Sequence, residues 1–171
     1  MKLINNSYKK ELQLVNRLIK SEIINETVIQ ELYDYIFKKN GKQLRPLLSL
    51  IASSPDKRKT SKRVQIAAII ELLHTATLVH DDVVDETTVR RGKETVNAKW
   101  GSDASILVGD FLISRAILIL AQDCERKIIQ AVTEATKILV EGGIHEYTEA
   151  RNIRVSEKHI IDIIHRKTAS M

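Results

Sequence analysis

The stretch Glu71-Leu-Leu-His-Thr-Ala-Thr-Leu-Val-His-Asp-Asp-Val-Val-Asp85, continued by Glu86-Thr-Thr-Val-Arg-Arg-Gly92, decides how this chain is read. From Thr60 to Val84 apolar residues recur at helical spacing (Val64, Ala67, Ala68, Leu72, Ala76, Val79, Val83) with no Gly or Pro. That pattern predicts one long, largely buried helix. Three aspartates stand near its C-terminal end in the pattern Asp-Asp-x-x-Asp. At about 100° per residue Asp81 and Asp85 share a face one turn apart, and Asp82 lies round the side. Carboxylates so placed repel one another, and the negative end of the helix dipole adds to the cost. A cation should offset it. Paired hard oxygen ligands suit Mg²⁺, which takes one or two carboxylates, substrate phosphates and water. Arg90 and Arg91 follow as donors for phosphate oxygens. Acid pair, metal and arginine pair together read as a diphosphate site.

The totals bound the rest. A chain of 171 residues fits one domain, spanning 1–171, with a respectable core. Being 43% hydrophobic and 29% charged, it is neither disordered nor membrane-like in composition. The lone Cys124 cannot form an internal disulfide, which fits a reducing compartment. The net charge of +5 comes mostly from one segment, where Lys57, Arg58, Lys59, Lys62 and Arg63 outweigh Asp56. That segment reads as a solvated loop rather than a nucleic-acid surface. The N-terminus has no apolar signal core, and the most apolar run, Ser105 to Ala121, is interrupted by Asp110 and Arg115. A cytoplasmic protein without a transmembrane segment is expected.

Helical periodicity runs from 5 to 24 (Leu12, Val15, Ile19, Ile23) and again from about 25 to 39, where Asn40-Gly41 gives a C-cap signal. Pro46 starts a short helix over Leu47 to Ala52. Arg90 to Thr95 reads as a loop, and Val96 to Trp100 as a helical turn closed by Gly101. Ser102 opens a helix, capped by its own hydroxyl or by Asp103, whose Ala104–Ala121 portion is apolar all round and so predicted to be buried. Glu125 to Tyr147 is amphipathic, with a kink expected at Gly142-Gly143. Ser156 caps a last helix running through Lys167. No strand-type alternation of useful length is present, so the fold class is all-α, a helical bundle.

Asp81-Asp82-Val-Val-Asp85, Gly41-Lys-Gln-Leu-Arg-Pro46, His74, Arg90-Arg91-Gly92 and Lys167-Thr-Ala169 together resemble the polyprenyl synthetase (trans-isoprenyl diphosphate synthase) family. The resemblance runs from about Lys38 to the last residue. It implies the isoprenoid-synthase type of bundle, with C-terminal helices and a second Asp-rich motif expected beyond Met171. It implies Mg²⁺ held by Asp81 and Asp85, with Asp82 in support, bridging to an allylic diphosphate that Lys167 and Thr168 also contact. Lys42, Arg45, His74 and Arg91 match the isopentenyl diphosphate site, beside Arg90. The family's reaction ionises the allylic diphosphate, adds isopentenyl diphosphate to the cation and loses a proton. Gln43, Gly143 and Glu146 depart from the family's common Arg, Glu and Gln, and no role passes to them.

Ala76 and Thr77, five and four positions before Asp81, are small where a growing product would pass. A long-chain product is therefore expected, built on farnesyl or geranylgeranyl diphosphate for quinone side chains. A homodimer is expected, with peripheral membrane contact for product release. With one acid cluster out of the chain, the piece alone is expected to be inactive. The alternatives are a non-catalytic prenyl-diphosphate-binding subunit partnering a synthase, and a metal phosphohydrolase built on His80-Asp81. The last is disfavoured because His74 and His80, six residues apart, point to different helix faces.

Overall fold

The computed structural model describes residues 7–23, 27–37, 43–53, 60–150, 152 and 154–169. The Gly41 cap, Lys42 and the basic residues 57–59 lie outside them. The described residues form α1 (Lys9–Ile23), α2 (Thr27–Phe37), α3 (Leu44–Ala52), α4 (Thr60–Val84), a hairpin of β1 (Val89–Arg90) and β2 (Lys93–Glu94), α5 (Val96–Trp100), α6 (Ser102–Asp123), α7 (Arg126–Glu149) and α8 (Glu157–Ile164). A π-turn, His165–Ala169, follows α8. The chain falls into two compact units, 1–123 and 124–171.

In the first unit α4 is the central element. Its 25 residues bury Val64, Ala67, Ala68, Ile69, Leu72, Leu73, Ala76 and Val79, and it packs on α1, α3 and α6. Arg63 is buried at the start of α4 with its charge matched. Its guanidinium lies 3.2 Å from Glu11 of α1 and donates to the Leu50 carbonyl (2.9 Å) and the Ser53 hydroxyl (3.2 Å) of α3. One side chain thus ties three helices, because a charge this deep costs several kcal/mol, on the order of 3–5, if left unmatched.

The helix ends on a turn that the sequence does not advertise. Glu86 takes the left-handed conformation (φ 50°), Thr87 N–H donates to the Asp82 carbonyl (2.9 Å) and Glu86 N–H to that of Val83 (3.2 Å). This is the pairing of a Schellman cap, with Glu86 where glycine is usual.

Against α4 lies α6, buried on one face through Ser105, Val108, Gly109, Leu112, Ala116, Ile119 and Leu120. The approach is close because Gly109 lacks a Cβ, which would stand 2.1 Å from the His80 Nε2. There Ser105 Oγ donates to the Val79 carbonyl at 3.2 Å, and His80 Nε2 lies 3.1 Å from the Ile106 carbonyl. The expectation of burial all round is corrected: Ile106, Leu107, Ile117 and Leu118 of α6 are exposed. With Asp110 and Arg115 within it, α6 still has the length and apolar composition of a membrane crossing. Its packing on α4 accounts for part of that composition. α6 also begins at Ser102 itself, with Gly101 O accepting from Ser105 N–H, rather than after a Ser102 cap.

α3 starts at Leu44, three residues before the expected Leu47, with Pro46 still inside its first turn. In the second unit α7 runs unbroken through Gly142-Gly143. Gly142 is small for another reason: a Cβ there would meet Arg166 Cβ at 2.7 Å and Lys167 N at 2.8 Å. Ser156 caps α8 as expected, its Oγ accepting from His159 N–H at 3.3 Å.

Candidate active site

One face of α4 carries Glu71, His74, Thr75, Leu78, Val79 and Asp82, spaced by three and four residues. It lines a cavity of about 730 Å³. The opposite walls come from Tyr35, Ile36 and Phe37 at the end of α2, from Gln43, Leu44 and Arg45 at the start of α3, and from Arg90 to Val96 excepting Gly92. Arg45, Arg90, Arg91 and Lys93 give this cavity four cationic side chains against three acids, Glu71, Asp82 and Glu94.

The hairpin that carries the arginines closes on a two-residue turn, Arg91-Gly92, with φ of 53° and 72°. Positive φ at both central residues is the type I′ geometry whose twist matches that of the flanking strands. The segment expected to be a loop is thus a hairpin, and Arg91 sits at its tip. Thr95 continues the fold: its hydroxyl donates to the Thr87 carbonyl (2.7 Å) and caps α5 by accepting from Ala98 N–H (3.4 Å).

The three aspartates divide by role. Asp82, read as support for a metal, is 5% exposed and accepts from Arg90 Nε at 2.7 Å. Its carbonyl also accepts from Asn97 Nδ2 at 3.1 Å. It joins helix end, hairpin and α5. Asp81 is half-buried and Asp85 exposed, and neither lines the cavity. Asp85 N–H donates to the Asp81 carbonyl at 2.8 Å, so the helical repeat holds across the pair and their side chains leave the same face one turn apart. Among the described residues no three His, Cys, Asp or Glu side chains gather as a metal cage. Two carboxylates are what Mg²⁺ takes when phosphate oxygens and water complete its shell. The donor set fits on those terms.

Arg45 Nη1 lies 3.1 Å from His74 Nε2. A guanidinium only donates, so Nε2 must accept and the imidazole must be neutral. Burial pushes the His74 pKa down to about 4, and the charges of Arg45, Arg91 and Arg90 push the same way. Glu71 is moved oppositely: burial raises its pKa, while Arg45 and Arg91 partly restore the charged form. Glu71 had no assigned role in the sequence; its signal was the three-residue interval to His74.

Other expected site residues separate. Ala76 is fully buried in the core, and Thr77 Oγ1 donates to the His74 carbonyl at 2.8 Å; neither lines the cavity. Gln43 does line it, but its amide pairs with Asn16 of α1, Nε2 donating to Oδ1 at 2.7 Å. In the second unit Lys167 pairs with Glu146, and exposed Thr168 lies in the π-turn.

Comparison with known proteins follows this geometry. The sequence profile of the polyprenyl synthetase family matches residues 26–171. Octaprenyl diphosphate synthase of Escherichia coli (strain K12) is 35% identical over 169 residues, covering 98% of this chain and 52% of that enzyme. The corresponding synthase of Haemophilus influenzae is 36% identical, covering 94% and 49%. A crystal structure of a decaprenyl diphosphate synthase from Rhodobacter capsulatus superposes with a TM-score of 0.93 at 32% identity, over 99% of this chain and 53% of that one. A polyprenyl synthase from Caulobacter crescentus CB15, complexed with calcium and isoprenyl diphosphate, gives 0.92 at 32% identity, over 98% and 51%. The chain spans about half the length of the curated relatives it matches.

Proposed function

The chain belongs to the polyprenyl synthetase family, and from that premise we propose that it serves a long-chain trans-polyprenyl diphosphate synthase. The reaction joins isopentenyl diphosphate to an allylic diphosphate such as farnesyl or geranylgeranyl diphosphate, for quinone side chains. The observation that carries the reading is the cavity with Arg45, neutral His74 and Arg91 on its walls. Multiple fixed donors around a concave site suit a diphosphate, and an uncharged imidazole leaves the guanidinium of Arg45 oriented without competing for the anion.

In this reading the diphosphate of isopentenyl diphosphate lies against Arg45 and Arg91. Arg90 contributes only the two Nη groups that Asp82 does not engage. The allylic diphosphate lies beside Asp81 and Asp85. Mg²⁺ held by those two carboxylates would offset the charge that develops on the departing diphosphate. Asp82 fixes the hairpin and with it the distance between the two anion sites. Lys167 and Thr168 serve the allylic diphosphate. The small, part-exposed Thr77 would leave a product room to lengthen, whereas Ala76 is taken up by the core. The working protein is a cytoplasmic homodimer whose product leaves through peripheral membrane contact. A polyprenyl synthase solved with calcium and isoprenyl diphosphate supports a divalent cation and a diphosphate in such sites.

Labelled isopentenyl diphosphate, farnesyl diphosphate and Mg²⁺ given to the intact protein should yield products several units longer than the primer. A single addition would refute the long-chain reading. Saturable binding with no product at all would favour a non-catalytic binding subunit.

A further inference from the structure

We propose that Tyr35 is a positioning residue for the anion pocket, acting on Arg91 through the hairpin between them; the inference rests on the reading of that pocket given above. Tyr35 stands in the last turn of α2 and reaches both residues of β2. Its hydroxyl donates to the Glu94 carbonyl at 3.0 Å, its carbonyl accepts from the Lys93 ammonium, and that ammonium also sits 3.4 Å from the centroid of its ring. Trp100 meets the ring edge-on at 4.6 Å, and Lys99 lies over both rings at 4.3 and 4.2 Å. One aromatic side chain is thereby wedged between the hairpin and α5.

The hairpin needs such a clamp. Each strand is two residues long, and isolated two-stranded ribbons are at best marginally stable in water. Its tip residue Arg91 is held in the left-handed region, a conformation that a non-glycine residue keeps only when its surroundings impose it. On β1 the anchor is Arg90 on Asp82; on β2 it is Tyr35 on Lys93 and Glu94. Arg91 lies between the two anchors, so its place at the cavity wall depends on both. An aromatic ring suits this position because it offers a face to two ammonium groups and a hydroxyl to a backbone carbonyl, which an aliphatic residue cannot do.

The test compares wild type, Tyr35→Phe and Tyr35→Leu in the full chain, reading amide exchange over 88–95 and affinity for inorganic pyrophosphate. Phe keeps the ring and loses only the bond to Glu94; exchange at Thr95 should quicken while affinity falls a few-fold at most. Leu should quicken exchange across 88–95 and weaken pyrophosphate by about tenfold, the size of one or two such contacts. Unchanged exchange and affinity in Leu would overturn the proposal. Loss of protection spread over α4 and α6 would overturn it too, by showing a general packing role. If Leu does not fold, Phe decides alone, and unchanged exchange at Thr95 would count against the clamp. Should wild type itself not bind pyrophosphate, the pocket reading fails separately, while exchange confined to 88–95 in Leu still supports the clamp.

Discussion

Acidification from pH 7 to pH 5 should cost the folded chain about 2 kcal/mol through His74 alone. In the fold its pKa is pushed from 6.5 down to about 4, by burial first and then by the charges of Arg45, Arg91 and Arg90. The folded value is the lower one, so the unfolded chain binds the proton first as pH falls. Stability is full above the unfolded value and declines as pH drops towards the folded one. Each pH unit between the two removes up to about 1.4 kcal/mol. Glu71, whose pKa burial raises, works in the opposite sense and returns some stability on the acid side. Comparing wild type with His74→Gln removes that contribution, because Glu71 is common to both, and glutamine still offers Arg45 an acceptor. Urea denaturation of both at pH 7 and pH 5 should show an excess loss in wild type of about 2 kcal/mol. Ring-proton NMR should find one histidine resonance, absent from the variant, that does not titrate above pH 5. Equal losses in the two proteins, or a His74 ring that titrates near 6.5, would refute the reasoning.

Asp82→Asn should separate structure from metal binding, since its carboxylate is paired with Arg90 rather than facing the acid pair. The buried partner pulls the cost up and the half-exposed Arg90 pulls it down, leaving about 1–2 kcal/mol in a denaturation midpoint; a variant as stable as wild type would dissolve the link between α4 and the hairpin. Gly109→Ala forces its new Cβ onto the His80 ring and should cost about 1–3 kcal/mol, most of which the further change His80→Ala should restore. A double variant no better than the single would place the strain elsewhere. Gly142→Ala meets Arg166 Cβ and the Lys167 backbone nitrogen, neither of which can swing aside like the tip of a side chain, so protease sensitivity should rise around residues 165–169. Resistance equal to wild type would show that the glycine is not what admits the π-turn.

Much of this was legible in the chain. The long periodic stretch from Thr60 to Val84 is the central helix at the expected boundaries, because nothing in it competes with helical spacing. The family and the all-α fold follow from motifs in register. The misses share a cause, namely tertiary contacts that leave little local trace. Arg91-Gly92 lacks the Asn or Asp that announces a type I′ turn, and its flanking residues are charged rather than alternating, so the hairpin looked like a loop. Glu86 ends α4 without a glycine. Gly142 has the composition of a helix breaker but is small for the sake of neighbours with no place in the local pattern, Arg166 and Lys167 of the π-turn. The burial of α6 is only partly legible because an apolar helix shows which residues favour an interior, not which neighbours cover them. Asp82 could not be told from Asp81 and Asp85 until Arg90 was seen against it.

Calorimetric titration of isopentenyl diphosphate into wild type, Arg45→Ala and Arg91→Ala tests the anion pocket most directly. One site per chain is predicted, weakened by salt, with each substitution costing about ten- to a hundredfold in affinity. Binding that survives both substitutions unchanged would contradict the account.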